Sequence, residues 1–460
     1  MNESRELAKF VSELKYEKLP RHVIARAKDL VLDQVGIMMA CSTLPWSKII
    51  NNYVRDWGDC KQESTIAHYG YKTKVENAVF ANSSFGHGFE IDDHYPPGES
   101  HPGCIVVPSA LAMAERQGAN GEDLIVAVVA GYEVMGRINR AITPSCSNRG
   151  FHAHTSISGP FGAAAAAGKI LSFAPDLMLN ALSIAGSHSS GTKEYDQGGG
   201  SVKRMHAGMA AHAGIRSALI AQKGITGPGT ILEGKHGFFH AFADEYKVDE
   251  VTDGLGSDFK IVMGQGFKFY CSCGAMHSAL DGLRILMAQH KDINENNVAE
   301  IVMGTNSNSR YHVDARLTDI TSAQFSAPFS LAMTVITGKN GFSDYTEQNL
   351  RNPRILNLAA KVKMVIDPEM EKEAAKRGSR VTVRLKNGKV YEQKVEYCKG
   401  LPENPLTREE FEDKFRGLAG VVAEKETTDK ILHMVRQLDE IPDVRSLVSL
   451  MCTCEDETEQ

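Results

Sequence analysis

Five alanines in a row, Ala163 to Ala167, sit inside the segment "PFGAAAAAGKILSF". Alanine is the strongest helix former and has no bulky side chain to hold a neighbour away. Such a run predicts a helix that another backbone approaches closely. The same small-residue style recurs in "APDLMLNALSIAGS" and "MHAGMAAHAGIRSALIAQKG". In "PRHVIARAKDLVLDQVGIMMA" apolar residues follow a 3–4 spacing, and Pro20 stands at a predicted first helical position. "VVPSALAMAERQGANGEDLIVAVVAGYEVMGRINRAI" reads as two helices parted at "GANGED", with Gly118 ending the first and Asn120 capping the second. From Leu7 to about Lys223 strand-like alternation is nearly absent, which predicts an all-α domain.

The character changes after about Gly264. "VAEIVMGTNS" and "SRVTVRLKNGKVYEQKVEY" are the clearest strands. The second reads as a hairpin that sets Val381, Val383 and Leu385 against Val390 and Val395 across "KNGK". Helices at "AMHSALDGLRILMAQH" and "PFSLAMTVITG" lie among the strands. After "GLPENPLTREEFEDKFRGLA" the pattern is helical again to about Leu450, and an acidic "EDETEQ" tail, expected to be disordered, follows. At 460 residues the chain exceeds the roughly 250–300 residues one hydrophobic core usually serves. The expectation is a mainly α protein: a large helical domain from 1–264 plus 401–460, and a smaller α+β domain over 265–400.

A net charge of −6 and the lack of any basic run argue against nucleic acid as partner and favour a small molecule. No apolar stretch approaches the roughly 20 residues that span a bilayer. The N-terminal "MNESRELAKFVSELKYEKLP" has no apolar signal region and reads as an amphipathic helix. The nine cysteines include two C-x-C pairs, Cys271/Cys273 and Cys452/Cys454, and neither has zinc-ligand spacing. Reduced thiols in a cytoplasmic protein are expected.

"GHGFEIDDHYPPGESHPG", Gly86 to Gly103, concentrates acids and imidazoles on a Pro/Gly-rich loop. A plain structural reading makes Asp92 or Asp93 a helix cap. A chemical reading has the acids orienting histidines. Farther on, Lys203, Arg204 and His206 fall within one turn of a predicted helix start, after "GGGS". Cations there oppose the helix dipole, so an anionic ligand is attractive. "RGFHAHTSISG" also precedes a helix, whose N–H groups favour an anion. Cys271 and Cys273 read as buried packing, as do His212 and His277. His236 and His240 share a helix face but sit in the aromatic run "HGFFHAF", so a metal centre is not expected.

Five segments in this order resemble the MmgE/PrpD family: the loop around residue 90, "GFHAHTSISGPFGAAAAAGKIL", "VKRMHAGMAAHAG", "FKFYCSCGAMHSALD" and "GLPENPLTREEFEDKF". Its members include 2-methylcitrate dehydratases, cis-aconitate decarboxylases and an iminodisuccinate epimerase. The resemblance implies a helical domain with a smaller lid, a homodimer, and chemistry without metal or organic cofactor. It implies catalytic roles for Asp93, His101, one of His152 and His154, Lys203 and Lys268. Substrate binding is expected from Glu90, Asp92, His94, Arg204, His206 and Tyr270. The family's reactions build negative charge next to a carboxylate, so cations must face the resulting dianion and a poised group must move a proton. Where similar decarboxylases carry a tyrosine, this chain has Phe329. Dehydration of the 2-methylcitrate type is therefore expected first, epimerisation second and decarboxylation third. The alternative outside enzymes is a catalytically silent dimer that binds a metabolite.

Overall fold

The computed structural model describes residues 2–58, 60–314 and 316–454, without the side chains at 153, 154 and 312. The expectation for the "EDETEQ" tail falls outside these residues. The framework consists of α1 (Arg21–Cys41), α2 (Val75–Gly86), α3 (Gly103–Gln117), α4 (Gly121–Ile142), α5 (Gly159–Ile170) and α6 (Val202–Gln222). An α+β part follows with α7 (His277–Gln289), β1 (Val298–Thr305), α8 (Ala327–Thr337), β2 (Val362–Ile366), β3 (Ser379–Leu385) and β4 (Val390–Val395). The chain returns to helix in α9 (Arg408–Ala419) and α10 (Lys425–Arg436). The fold is mainly α, as predicted. Among the described residues no helix is long and apolar enough to cross a membrane.

The alanine helix is α5, and Ala163 to Ala167 are all fully buried. Its small residues are used inside this chain. A Cβ on Gly162 would come within 3.3 Å of the Gly131 carbonyl oxygen on α4, and one on Gly131 would meet Val106 at 2.5 Å. On α6, a Cβ at Gly214 would lie 2.4 Å from the Pro160 carbonyl oxygen. One at Gly208 would lie 2.3 Å from that of Phe80 on α2. These contacts clamp α6 between α2 and α5 and so fix where its first turn points.

Helix ends follow the sequence closely. Gly118 takes a left-handed φ of 63° after α3, and the Asn120 side chain accepts from the Asp123 N–H at 2.8 Å to cap α4. Pro20 is the cap residue of α1, one position before the predicted one.

The larger sheet has the order β2-β1-β3-β4, with β2 parallel to β1 and the other pairs antiparallel. The hairpin forms with a register one residue from the expected one. Val390 pairs with Arg384 and Val395 with Ser379, so Val390 points outward and is half exposed. β2 was not predicted. It is an edge strand whose Val365 and Ile366 are 43% and 41% exposed, so it lacks the alternation that marks a half-buried strand.

One hydrophobic cluster joins residues between Leu7 and Phe267 to Phe411, Phe415 and the helices after them. A second joins the α+β part to Ile37, Ala40 and Cys41 of α1 and to Phe89 and Ile91 of the loop after α2. The acid-rich loop thus lies at the seam of the two clusters.

Candidate active site

The loop from His87 to Pro102 leaves α2 and enters α3. His94 and Gly266 exchange backbone hydrogen bonds at 2.9 and 2.8 Å, which ties the loop to the segment entering the α+β part. Only glycine fits against the His94 ring, because a Cβ on Gly266 or Gly274 would stand 2.9 Å from its nitrogens. Glu90 and Glu99 adopt left-handed backbone, with φ of 57° and 50°. Non-glycine residues in that region are strained and concentrate at functional sites.

Lys203 lies in the first turn of α6, and its Nζ contacts Glu90 Oε1. Lys268 reaches the other oxygen, Oε2, at 3.2 Å, and the Arg204 guanidinium stands 3.8 Å from Oε1. All four side chains are nearly fully buried. The anion expected beside the α6 cations therefore exists within the chain itself. Burial, with Lys268 and Arg204 adding, pushes the Lys203 ammonium down from its usual range, against the pull of Cys273. Its Nζ also lies 5.1 and 5.7 Å from the centres of the Phe325 and Tyr195 rings.

The imidazoles stand beside this cluster. His101 Nδ1 is 2.8 Å from the backbone oxygen of Asp93 and 3.6 Å from Asp92 Oδ2. A carbonyl only accepts, so Nδ1 carries the proton and Nε2 is left as the basic nitrogen. Burial pushes His101 down to about 4, against the pull of Asp92, so it is neutral at physiological pH. His152 and His206 meet Nδ1 to Nδ1 at 2.8 Å. One donates and the other accepts, because burial and then Lys203 push His206 down to about 4.

Glu90, His94, His101, His152, Lys203 and Lys268 line one cavity of about 100 Å³. It opens outward past Ser147, Lys193, Asp196 and Glu99, which it shares with a wider depression. Other expected site residues stand back from the wall. Asp93 lies behind the loop, where Oδ1 accepts from the Gly103 N–H at 2.9 Å and Oδ2 from Tyr132 and Gln265 at 2.7 and 2.6 Å. It caps α3, as the structural reading of the loop had it. Burial, aided by Asp92 and Asp33, pushes its carboxyl up to about 8.

Asp92 accepts from His87 Nδ1 at 2.7 Å and lies 3.7 Å from Lys268. Burial raises its carboxyl, but His101, His87 and Lys268 together outweigh that and hold it well below the usual range. Arg204 donates to Thr321 and Gln324 at 3.0 and 2.6 Å and stacks on Trp46. It braces the site from outside the cavity.

Tyr270 is also off the cavity, with its hydroxyl on Asp281 Oδ1 at 2.5 Å. The His154 side chain falls outside the described residues, and His152 lies on the wall. Cys271 is buried, as expected, whereas Cys273 lines the cavity. His277 is a core residue bonded to the Ser272 carbonyl at 3.1 Å. Phe329 is buried in the α+β cluster, 6.2 Å from the Tyr345 ring and off the cavity wall, so its missing hydroxyl is no argument against decarboxylation.

Sequence reasoning passed over His87, Tyr195, Gln265 and Arg377. The readable signal was the spacing of His87 and Asp92 within one loop. Arg377 had none.

Among the described residues, His87, Asp92 and Cys104 bring ligand-type atoms within 4.8 Å of one another. The set fits a cation poorly. His87 and Asp92 are already hydrogen-bonded to each other, Lys268 stands beside Asp92, and burial pushes the Cys104 thiol well above its usual range.

A mainly helical body joined to an α+β part sets two lysines, a carboxylate and imidazoles around one cavity, an arrangement suited to enzymatic chemistry on an anion. The chain belongs to the MmgE/PrpD family: the family's N-terminal domain model matches residues 5–251 and its C-terminal domain model residues 270–440. It is 29% identical to a cis-aconitate decarboxylase of Aspergillus terreus, over 97% of this chain and 95% of that protein. It is 25% identical to the cis-aconitate decarboxylase of Homo sapiens, over 95% and 92% of the two chains.

Proposed function

We propose that the protein is a lyase that builds carbanion character next to a carboxylate of a small di- or tricarboxylate, with decarboxylation of the cis-aconitate type as its leading reaction. The observation that carries this reading is the convergence of Lys203 and Lys268 on one carboxylate beside His101 and His152. Preorganised ammonium groups stabilise a dianion far more in a dry cavity than in water. A substrate carboxylate entering beside Glu90 shares these cations.

In decarboxylation the electron pair of the broken C–C bond passes into the skeleton next to the held carboxylate, CO2 leaves, and one proton is taken up. Lys203 is the proposed donor, since its ammonium lines the cavity beside the carboxylate that Lys268 also holds, within reach of a carbanion formed there. The full-length similarity to cis-aconitate decarboxylases supports this order of preference.

Dehydration of the 2-methylcitrate type is the second reading, and the tautomer of His101 favours it. A neutral imidazole with a free Nε2 is suited to abstract a C–H proton. Epimerisation of the iminodisuccinate type would use the same base. In either reading residues 265–400 serve as a lid on a body formed by 1–264 and 401–460, a division supported by the second hydrophobic cluster, most of whose residues belong to the α+β part. The proposed working form is a cytoplasmic homodimer, for which light scattering at micromolar concentration is the direct check.

The deciding assay incubates the purified protein with cis-aconitate, 2-methylcitrate and iminodisuccinate, following CO2 release, enoate absorbance and proton exchange by NMR. CO2 from cis-aconitate supports the leading reading. Water loss from 2-methylcitrate without CO2 from cis-aconitate replaces it with the second. No turnover of any of the three leaves the silent metabolite-binding dimer.

A further inference from the structure

Among the described residues five non-glycine positions have left-handed φ, and three of them line the cavity: Glu90, Glu99 and Arg377. Glu90 belongs to the inner pole, where Lys203 and Lys268 share its carboxylate. Glu99 and Arg377 face each other at the outer pole. Arg377 comes from the turn before β3, with φ of 51°, and its carbonyl is held by the Ser278 hydroxyl at 3.0 Å. Its side chain is only 23% exposed, and its one ion pair among the described residues, to Glu99, is long at 3.8 Å. Among the described residues its guanidinium donates no hydrogen bond, so a planar fork of donors is turned to the cavity and left unused. The imidazoles nearest this pole, His94 and His101, are uncharged at neutral pH and do not compete for an anion.

We propose that Arg377 is the receptor for a second carboxylate of the substrate, so that the cavity selects di- and tricarboxylates over monocarboxylates. The inference rests on the carboxylate-lyase reading and adds the specificity-determining residue. One carboxylate sits at the Lys203/Lys268 pole, and the other takes the guanidinium in the bidentate geometry that arginine offers and lysine does not. Glu99 is the internal competitor that this carboxylate displaces. Because Arg377 belongs to the α+β part and Glu99 to the loop after α2, the incoming carboxylate also ties the two parts together.

The test is calorimetric binding of propane-1,2,3-tricarboxylate, an unreactive probe, and NMR titration of butanoate, both at pH 7.5. Arg377→Gln is expected to weaken the tricarboxylate about 10- to 100-fold, the worth of a charge-assisted hydrogen-bond pair, and to change butanoate less than twofold. Arg377→Lys recovers only part of the loss. Glu99→Gln, which removes the competitor, tightens the tricarboxylate, a gain that mere damage to the fold does not produce. An Arg377→Gln protein that keeps wild-type affinity for the tricarboxylate, or loses both probes equally, overturns the assignment. So does a Glu99→Gln protein with unchanged or weaker affinity. If the wild-type protein binds neither probe, or if Lys203→Ala leaves both affinities intact, the carboxylate-site reading itself fails, independently of Arg377.

Discussion

His101 donates its Nδ1–H to the backbone carbonyl of Asp93 at 2.8 Å, and this bond decides which ring nitrogen is left to act as a base. With burial holding the imidazole at about 4, His101 is deprotonated throughout the neutral range. Where His101 is the base, as in dehydration or epimerisation, the rate should therefore be flat from about pH 6 to 8 and fall as pH drops toward 4, whereas decarboxylation, which abstracts no C–H proton, should lack that His101 limb. His101→Ala should cost roughly 10²–10⁴ in kcat and remove the acid limb. Lys203→Ala should cost at least about 10²–10³ across the neutral range, since it removes a cation from the developing dianion and, in decarboxylation, the proposed proton donor as well. A wild-type acid limb in His101→Ala would move the role to His152.

Glu90 is shared by two buried ammonium groups. Glu90→Gln leaves Lys203 without its carboxylate partner, while Lys268 keeps Asp92 at 3.7 Å, and breaking a buried pair in this way costs about 3–5 kcal/mol. A clear drop in Tm is expected, partly restored by millimolar propane-1,2,3-tricarboxylate, which supplies the missing anion. An unchanged Tm would show that the lysines do not depend on Glu90.

Asp93 holds its proton in the folded protein up to about pH 8, against about 4 in an unfolded chain. The native state then binds more protons across that window, so its contribution to stability is full below pH 4 and is lost as pH rises through 8. The slope is at most about 1.4 kcal/mol per pH unit. Between pH 4 and 6.5 the buried neutral histidines His87, His101 and His206 impose the opposite slope. From pH 6.5 to 8.5 the histidine slope has faded, and chemical denaturation of the wild type beside Asp93→Asn separates the Asp93 share from that of other perturbed groups such as Lys203. Asp93→Asn should flatten the wild-type decline and be the more stable protein at pH 8.5.

Gly214→Ala should destabilise by about 1–3 kcal/mol, because the new methyl would meet the Pro160 carbonyl at 2.4 Å and Ala163 at 2.5 Å. It should also slow turnover, since α6 carries Lys203 in its first turn. A neutral result in a urea titration would mean that α5 and α6 are less tightly apposed than these distances imply.

The helices were legible because their signals are local. The alanine run, Gly118 and Asn120 act within a turn or two of themselves, and the structure uses each as the pattern suggests. β2 was not legible. Its stability comes from parallel pairing with β1, some sixty residues earlier, and an exposed edge leaves no periodic trace in "VKMVI". The hairpin was found, but its register is set by the turn and by β1, which claims Leu385 as partner of Val298.

The sequence by itself determined the inventory of the site: acids and imidazoles on one loop, cations at the start of α6 and at Lys268, small residues that let helices close around them. Those are choices of residue type, and type is what a sequence records. The tertiary structure alone decided who faces whom. Asp92 and Asp93 are adjacent in sequence, yet one lies among His87, His101 and Lys268 while the other caps α3 behind the loop. Tyr270, two residues from Lys268, turns to Asp281, and Arg377, with no motif of its own, lines the cavity. The physical reason is that charge and hydrogen-bond energies depend on separations of a few ångströms and on burial, and both are set by how distant segments pack.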